Sequence, residues 1–529
     1  MTLQQAKVAQ VSDLAPGEMK QVNVGDTEIL LARYKDDFFA TAAHCTHYGA
    51  PLIDGALHGK RVVCPWHHAC FDVTNGDHIE PPGCDSLPSF AVSVDGEEVY
   101  VTVPEDAATQ RTPQMQNRDQ ANQKLYLIVG GGTAAQYAAE AMRTEGFNGK
   151  ILMITPEDET PYDRVNCSKA YLQDDAPDDW MPLRPPEFYQ EHDIEIMHGV
   201  KVDELDVDKK EALLSNGDTI HYDKVLLATG GKATAPDIPG VELDNIFTLR
   251  SMKDSKQIKE LVKQNKIKKA IVLGASFIGM EGAWSLSELG CEVTVVSPDE
   301  IPFAKVWGQE VGQMIQDLHK SNGINFQLNS KVTEFKGTQK VSSVVLDNGD
   351  SLPAELVLIG IGVKPATQFV KGLSLEEDGG VTVDEHFQAA KDVYAAGDIA
   401  HFQYKGEKKR IEHWRVACQH GRIAGYNMAG KPEVYDSVPF FWTGQQGIKI
   451  RYVGHVKDFD DIIYDGNIED QEFIAYYVKD GAVKAALGLN RDKEMVIIEE
   501  LIRIDHMPVA ASLKNPDFKL ESYFFQLEV

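Results

Sequence analysis

Two short segments, Cys45-Thr46-His47 and Cys64-Pro65-Trp66-His67, constrain this chain more than any other feature in it. They read as C-x-H, a sixteen-residue spacer and C-x-x-H. Any fold that carries them must bring two loops, separate in sequence, to one point. The donors are two thiolates and two imidazoles. That set suits a binuclear iron–sulfur cluster with Cys on one iron and His on the other. It also suits a tetrahedral zinc ion. The C-x-H step is tighter than the usual zinc-finger spacing, and Gly49, Ala50, Pro51 and Leu52 follow it. His44 and His68 adjoin the four donors; the spacing selects His47 and His67 and leaves the neighbours as surface or supporting residues.

A chain of 529 residues is too long for one hydrophobic core, so about three or four domains are expected. No run of about 18 apolar residues occurs, and no membrane span is expected. The first residues, MTLQQAKVAQVSDL, show neither the basic-then-apolar pattern of a secretory signal nor the arginine-rich character of a transit peptide. The expected location is the cytoplasm. Asp plus Glu number 81 against 52 Lys plus Arg, a net charge of −29. Such a field repels phosphate backbones, so nucleic acid is not an expected partner. It fits a solvated acidic surface, or a partner with a basic docking patch. The seven cysteines, odd in number and widely spread, argue against a disulfide framework.

Residues 1–104 read as small β structure. Phe90–Val94 and Val99–Val103 alternate with period two about a turn at residues 95–98. Residues 105–122 are polar and aperiodic, as a linker is. The run 124–129 then opens an α/β pattern: a continuous apolar strand, Gly130-Gly131-Gly132, Ala134-Ala135 and a helical stretch to about Arg143. This is G-x-G-x-x-A between strand and helix, where glycine permits a tight turn and close approach of a pyrophosphate. The pattern recurs at 269–279, with Gly274, Ser276 in place of the second glycine, and Gly279. Two copies in strand–turn–helix context point to two dinucleotide sites. Two further strands end in small-residue turns, one at Thr229-Gly230 and one at Gly397-Asp398; Asp398 is expected at a helix N-terminus.

The wording CTHYGAPL and CPWHHACFDVTNG resembles Rieske ferredoxins. Cys70 has no counterpart in the first loop, so the centre resembles the lower-potential kind without a bridging disulfide. Downstream, the chain resembles two-dinucleotide-binding flavoprotein reductases, and among them apoptosis-inducing-factor-like proteins and the ferredoxin reductases of oxygenase systems. Pro161-Tyr162-Asp163-Arg164 followed by Ser168-Lys169 is similar to their P-Y-D-R-x-x-x-S-K segment. Gly274 to Gly279 with Met280-Glu281 is similar to their second nucleotide turn. The resemblance implies a multidomain order. An all-β Rieske domain (1–104) and a linker (105–122) come first. Glutathione-reductase-like FAD (123–245 and 368–435) and NAD(P) (246–367) domains of Rossmann type follow, then a small α+β C-terminal domain (436–529).

It also implies FAD, a [2Fe–2S] cluster and NADH as cofactors, with NADPH open. Cys45, His47, Cys64 and His67 would hold the cluster. Arg164 and Lys169 would lie near FAD, with Glu281 paired to Lys169 beside flavin and nicotinamide, and Trp414 and Trp442 packed on the flavin. The acid that often ends the second strand of each nucleotide unit is replaced by Thr155 and by Ser297, and no Arg stands in for it, which favours NADH. The implied activity is that of a ferredoxin–NAD(+) reductase, passing electrons from NADH through FAD to the fused cluster and on to an external protein or small-molecule acceptor. A homodimer is possible for such a chain. Two other readings stand beside it: an NADH-responsive redox sensor, and a disulfide or peroxide reductase using Cys167.

Overall fold

The computed structural model describes residues 2–527. The N-terminal unit is built from two antiparallel sheets. Six strands form the first, in the order Leu3–Gln10, Glu98–Pro104, Ser89–Asp95, Asp37–Ala42, Thr27–Tyr34 and Met19–Val24. Alternation explains it: in Glu98–Pro104, Val99, Val101 and Val103 are buried while the residues between them are half-exposed. The second sheet runs Ala56–His58, Arg61–Val63, Cys70–Asp72 and His78–Glu80. Its two neighbouring loops carry the Cys/His motifs.

Residues 105–122 hold no regular strand or helix but are fastened on both sides. Arg111 pairs with Ser86 of the β unit through two backbone bonds of 2.8 and 2.9 Å. Further on, the Gln116 amide donates to Arg143 (2.9 Å) and the Asp119 amide to Asn148 (2.8 Å).

Strand Leu125–Val129 starts the next unit, a sheet ordered Ile194–Met197, Lys150–Ile154, Leu125–Val129, Lys224–Leu227, Val393–Ala395 and Gln388–Ala390. The first five strands pair in parallel and the last antiparallel. Its first helix, Thr133–Thr144, packs on the long helix Trp414–Ala429. The contact is close because Gly421 and Gly425 present no side chain: a Cβ at Gly421 would lie 2.1 Å from the Ala134 carbonyl oxygen, and one at Gly425 2.5 Å from that of Ala138. The second nucleotide unit has five parallel strands, Ile246–Thr248, Leu356–Ile359, Lys269–Leu273, Glu292–Val296 and Asn325–Gln327. Each sheet places its Gly-rich turn where strand gives way to helix.

A five-stranded antiparallel sheet, from Phe440–Gln445 to Glu472–Lys479 and Ala482–Leu489, ends the chain with helix Asp492–Arg503. Every residue from Met495 to Ile502 in that helix is buried. An ordinary amphipathic helix buries one stripe. This one is covered on both faces, by its own sheet and by the N-terminal β unit.

One expectation fails here. Asp398 lies in a short 3₁₀ turn, Gly397–Ile399, not at a helix N-terminus. The chain leaves that turn into strand Ala400–Tyr404, whose Ala400, Phe402 and Tyr404 alternate inward. Period-two burial continues it as a strand, and the helix waits until Trp414.

Gly421→Ala is expected to force the two helices apart. Overpacking of this kind costs about 1–3 kcal/mol, so calorimetry should show a lower unfolding temperature.

Candidate cofactor and electron-transfer site

The four motif residues come together in pairs. Cys45 and Cys64 are buried with their thiols facing each other. The amides of His47 and Tyr48 point at the Cys45 sulfur, and those of Trp66 and His67 at the Cys64 sulfur. Such N–H donors favour thiolates. Tight turns create them: Gly49 N–H bonds to Cys45 O at 2.9 Å and His68 N–H to Cys64 O at 3.2 Å. The His47 and His67 Nδ1 atoms lie 3.2 Å apart. Two nitrogens each about 2.1 Å from one metal have about this separation. Among the described residues, no three Cys, His, Asp or Glu side chains converge as a single ion requires. A thiol pair and an imidazole pair fit a binuclear cluster with Cys on one iron and His on the other.

The histidine pair faces a cavity of about 400 Å³ that reaches from Gly132-Thr133-Ala134 to Phe441-Trp442-Thr443. His47 stacks on Trp414 (centroids 6.1 Å) and His67 packs on Trp442 (4.3 Å), while the two indoles meet edge to face at 5.9 Å. Both indoles line the cavity. One aromatic layer therefore separates the imidazoles from it.

The cavity suits a flavin dinucleotide. Two helices aim their N-termini into it, one at Gly132-Thr133 and one at His413-Trp414, and neither has a side-chain cap. Their free amides attract anionic and carbonyl oxygens. A Cβ on Gly132 would meet nothing within 4 Å, which leaves room for a phosphate. His413 Nδ1 and Trp414 Nε1 are buried without partners, as polar groups awaiting a ligand are.

The lining includes Gly132, Ala134, Arg164, Lys169, Gly230, Ser276, Glu281, Gly397, Asp398, Trp414 and Trp442. The other candidates stand behind it. A Cβ at Gly130 would come 2.2 Å from the Ala228 carbonyl, and one at Gly279 2.1 Å from that of Gly274; Gly274 itself has φ +103°. Ala135 is fully buried in the core. Thr229 donates to the Ala366 carbonyl (2.7 Å), and the hydroxyls of Thr155 and Ser297 accept from the Glu157 and Asp299 amides (3.2 and 3.3 Å). Ser276 is suited to its place: it donates to the Gly360 carbonyl (2.7 Å) and caps its helix through the Gly279 amide (3.2 Å).

Lys169 Nζ lies 2.8 Å from Glu281 Oε2. Arg164 is held by Glu157 (2.7 Å) over the Tyr162 ring, and donates to the Arg250 carbonyl. Burial pushes the Cys167 thiol up to about 12, although it too lines the cavity. His44 is a surface residue bonded to Glu28 (2.7 Å), whereas His68 is fully buried, bonded to Glu499 and stacked on Phe440.

Sequence reasoning missed the residues that fix one unit on the other. Arg415, fully buried, donates to the carbonyls of His68 (2.7 Å) and Pro81 (2.9 Å) and pairs with Glu499 (2.9 Å) and Glu80 (3.2 Å). Arg61 pairs with Glu500 (3.2 Å). Arg184 joins Asp85 (2.8 Å) to Glu140 (3.0 Å). Tyr48 donates to Asp163 at 2.7 Å. The available signal was Arg415 directly before the small apolar run Val416-Ala417-Cys418, since a buried Arg must find partners. Arg250, 3.0 Å from Asp398 and lining the cavity, was marked only by the capping box that follows it at Ser251.

Comparison with known proteins agrees with this geometry. Residues 124–421 match the family model for pyridine nucleotide-disulphide oxidoreductases, residues 4–91 the Rieske [2Fe-2S] domain, and residues 440–524 the reductase C-terminal domain. The chain belongs to the pyridine nucleotide-disulphide oxidoreductase family, in a form that carries a Rieske domain, and is an oxidoreductase of FAD and NAD. It is 34% identical to apoptosis-inducing factor 3 of Homo sapiens over 517 residues, 94% of this chain and 84% of that one. Rubredoxin-NAD(+) reductase of Pseudomonas putida is 31% identical over 66% of this chain and 92% of its own. Among solved structures, the putidaredoxin reductase–putidaredoxin complex superposes with a TM-score of 0.71 at 27% identity, covering 77% of this chain and 99% of that one. No helix among the described residues is long and apolar enough to cross a membrane.

The interface carboxylates set a pH dependence. Burial opposes ionisation of Glu500, but His58, Arg61 and Arg503 outweigh it and hold the carboxyl well below its usual range. Burial likewise opposes Glu80, and Arg61 and Arg415 prevail. A carboxyl depressed in the fold stabilises it above the unfolded value of about 4.3 and loses that contribution as pH falls through the folded value. The unfolding temperature is expected to hold near pH 7 and to drop below about pH 4.3, less steeply in Glu500→Gln. Arg415→Met, which takes the cation from between Glu499 and Glu80 and leaves them only His68 and Arg61 as ion-pair partners, is expected to cost about 3 kcal/mol in the same melts.

Proposed function

We propose that this chain passes electrons from NADH through FAD to its own Rieske cluster, and from there to an external one-electron acceptor. The observation that carries the reading is the meeting of His47 and His67 with Trp414 and Trp442 at the wall of the cavity. FAD accepts a hydride as two electrons and can release them singly, which a one-electron cluster needs; a His-ligated cluster is also less reducing than a Cys₄ plant-type one. The chain's own residues bind, orient and shield. The two uncapped helix N-termini would hold the dinucleotide. Lys169, fixed by Glu281 at the cavity wall, would orient the nicotinamide against the flavin, a positioning role. The indoles exclude water between the two centres. Amides directed at the Cys45 and Cys64 sulfurs stabilise the ligating thiolates. Ser297, with no arginine beside it, favours NADH over NADPH.

The Cys167 reading has one supporting observation, its place in the cavity lining. Its raised pKa argues against it, because the thiolate is the nucleophile.

An anaerobic NADH titration tests the main reading. Two flavin electrons and one cluster electron require about 1.5 equivalents of NADH per chain. Flavin absorbance and the electron paramagnetic resonance signal of the cluster are expected to change together toward that endpoint. Flavin that bleaches at about one equivalent beside an intact, never-reduced cluster would sink the reading. Cys167→Ser is expected to keep NADH-driven turnover with a one-electron acceptor, and sustained rapid turnover also excludes a purely sensory protein.

A further inference from the structure

A line of buried polar side chains runs from Glu281 and Thr443, in the cavity lining, to Gln445 and His319, which lie outside that lining. The Glu281 carboxylate is 2% exposed. Its Oε2 accepts from Lys169 Nζ (2.8 Å) and Ser168 Oγ (2.5 Å), and its Oε1 from Thr443 Oγ1 (2.6 Å). Thr443 in turn accepts from Gln445 Nε2 (2.9 Å), and Gln445 Oε1 lies 2.8 Å from His319 Nε2. Thr443, Gln445 and His319 are 1%, 0% and 0% exposed, so water does not compete for these bonds.

Every bond in the line has a defined direction. An amide oxygen only accepts, so His319 Nε2 carries a proton and donates. Gln445 donates to Thr443, which leaves the Thr443 hydroxyl hydrogen for Glu281. Burial pushes the His319 pKa down to about 4, so the ring is neutral at ordinary pH and keeps the Nε2–H form that Gln445 selects. The groups that face it are Gln445 and Gln446.

The line also crosses unit boundaries. Lys169 and Ser168 lie in the FAD unit, and Glu281 in helix Phe277–Glu288 of the NAD unit. Thr443 and Gln445 occupy strand Phe440–Gln445 of the C-terminal sheet, and His319 is in helix Gln309–Ser321 of the NAD unit. Thr443 and Gln445 are two residues apart on one strand, so both face inward. Gly444 between them faces the other way, its Cβ position nearest Trp284 and Lys169.

We infer that Thr443, supported by Gln445 and His319, is a positioning residue for hydride transfer: it fixes the rotamer of Glu281 and thereby holds Lys169 at the junction of flavin and nicotinamide. Thr443 lines the cavity, but its hydroxyl is committed to the Glu281 carboxylate and acts through it. The inference rests on the role proposed for the Lys169–Glu281 pair and is independent of electron passage to the cluster.

The test is stopped-flow reduction of the full-length holoprotein by NADH without oxygen, read at the flavin band. Thr443→Val removes the donor and keeps the shape. It is expected to slow flavin reduction about tenfold at saturating NADH, the effect of a lost hydrogen bond to a charged group. Thr443→Ser is expected to restore the rate. His319→Gln, which retains an N–H donor, is expected to lie between wild type and His319→Leu. Two readouts separate positioning from general damage: the NADH concentration for half-maximal rate and the flavin content stay at wild-type values, and the deuterium isotope effect with 4-deuterated NADH rises in Thr443→Val. A crystal structure of that variant is expected to show the Glu281 carboxylate turned off Lys169. Wild-type reduction rates in Thr443→Val, or failure of Thr443→Ser to restore them, would overturn the inference. A wild-type cluster that never takes an electron, beside flavin reduction that is still slowed in Thr443→Val, would leave this inference standing and count against the electron route instead.

Discussion

Arg415 is the interaction on which the arrangement of this molecule depends. Its guanidinium is wholly removed from water and still satisfied, because its donors reach two carbonyls of the Rieske unit and the carboxylates of Glu80 and Glu499. The same residue is the second of helix Trp414–Ala429, whose N-terminus opens on the flavin cavity. Three units therefore meet at one cation. A buried ion pair is a weak source of net stability but a strict one of geometry, since any other placement leaves charges unpaired. Here the geometry it enforces sets the histidine edge of the Rieske unit against Trp414 and Trp442.

Much of the molecule was legible in the sequence because its parts speak in short-range chemistry. The Cys/His spacing, the two glycine turns and the continuous apolar strands are local, and each predicted its element. Lys169 and Glu281 were legible only through resemblance, being more than a hundred residues apart in sequence and 2.8 Å apart in space. Asp398 was misplaced because a strand end followed by glycine reads alike whether a helix or another strand comes next; the alternation of Ala400, Phe402 and Tyr404 held the answer. Arg415, Tyr48 and Glu499 escaped because their partners lie in other domains. Nothing within a dozen residues of any of them announces the match. The helix 492–503 carried such a signal, in its unbroken buried run, but only a second packing surface gives that run meaning.

Around the cavity, one helix serves three neighbours. Helix Trp414–Ala429 offers uncapped amides to the cavity, Trp414 to the imidazoles, Arg415 to the Rieske backbone, and a glycine face to helix Thr133–Thr144. Those demands explain its composition. It has bulk at its start, a cation where it crosses between units, and Gly421 and Gly425 where the two backbones nearly touch.

The segment 105–122, pinned at Arg111, Gln116 and Asp119, carries a kinetic consequence. A separate carrier must find its reductase by diffusion on every cycle, and each encounter surrenders translational and rotational freedom. A carrier joined by a short, anchored stretch of chain has made that sacrifice once, at synthesis, and meets its donor at a local concentration that bulk dilution does not alter. On the proposed route, filling of the inner redox pair is a first-order event, the same in a crowded cell and in a dilute cuvette, and only the outward delivery depends on how many partners are near.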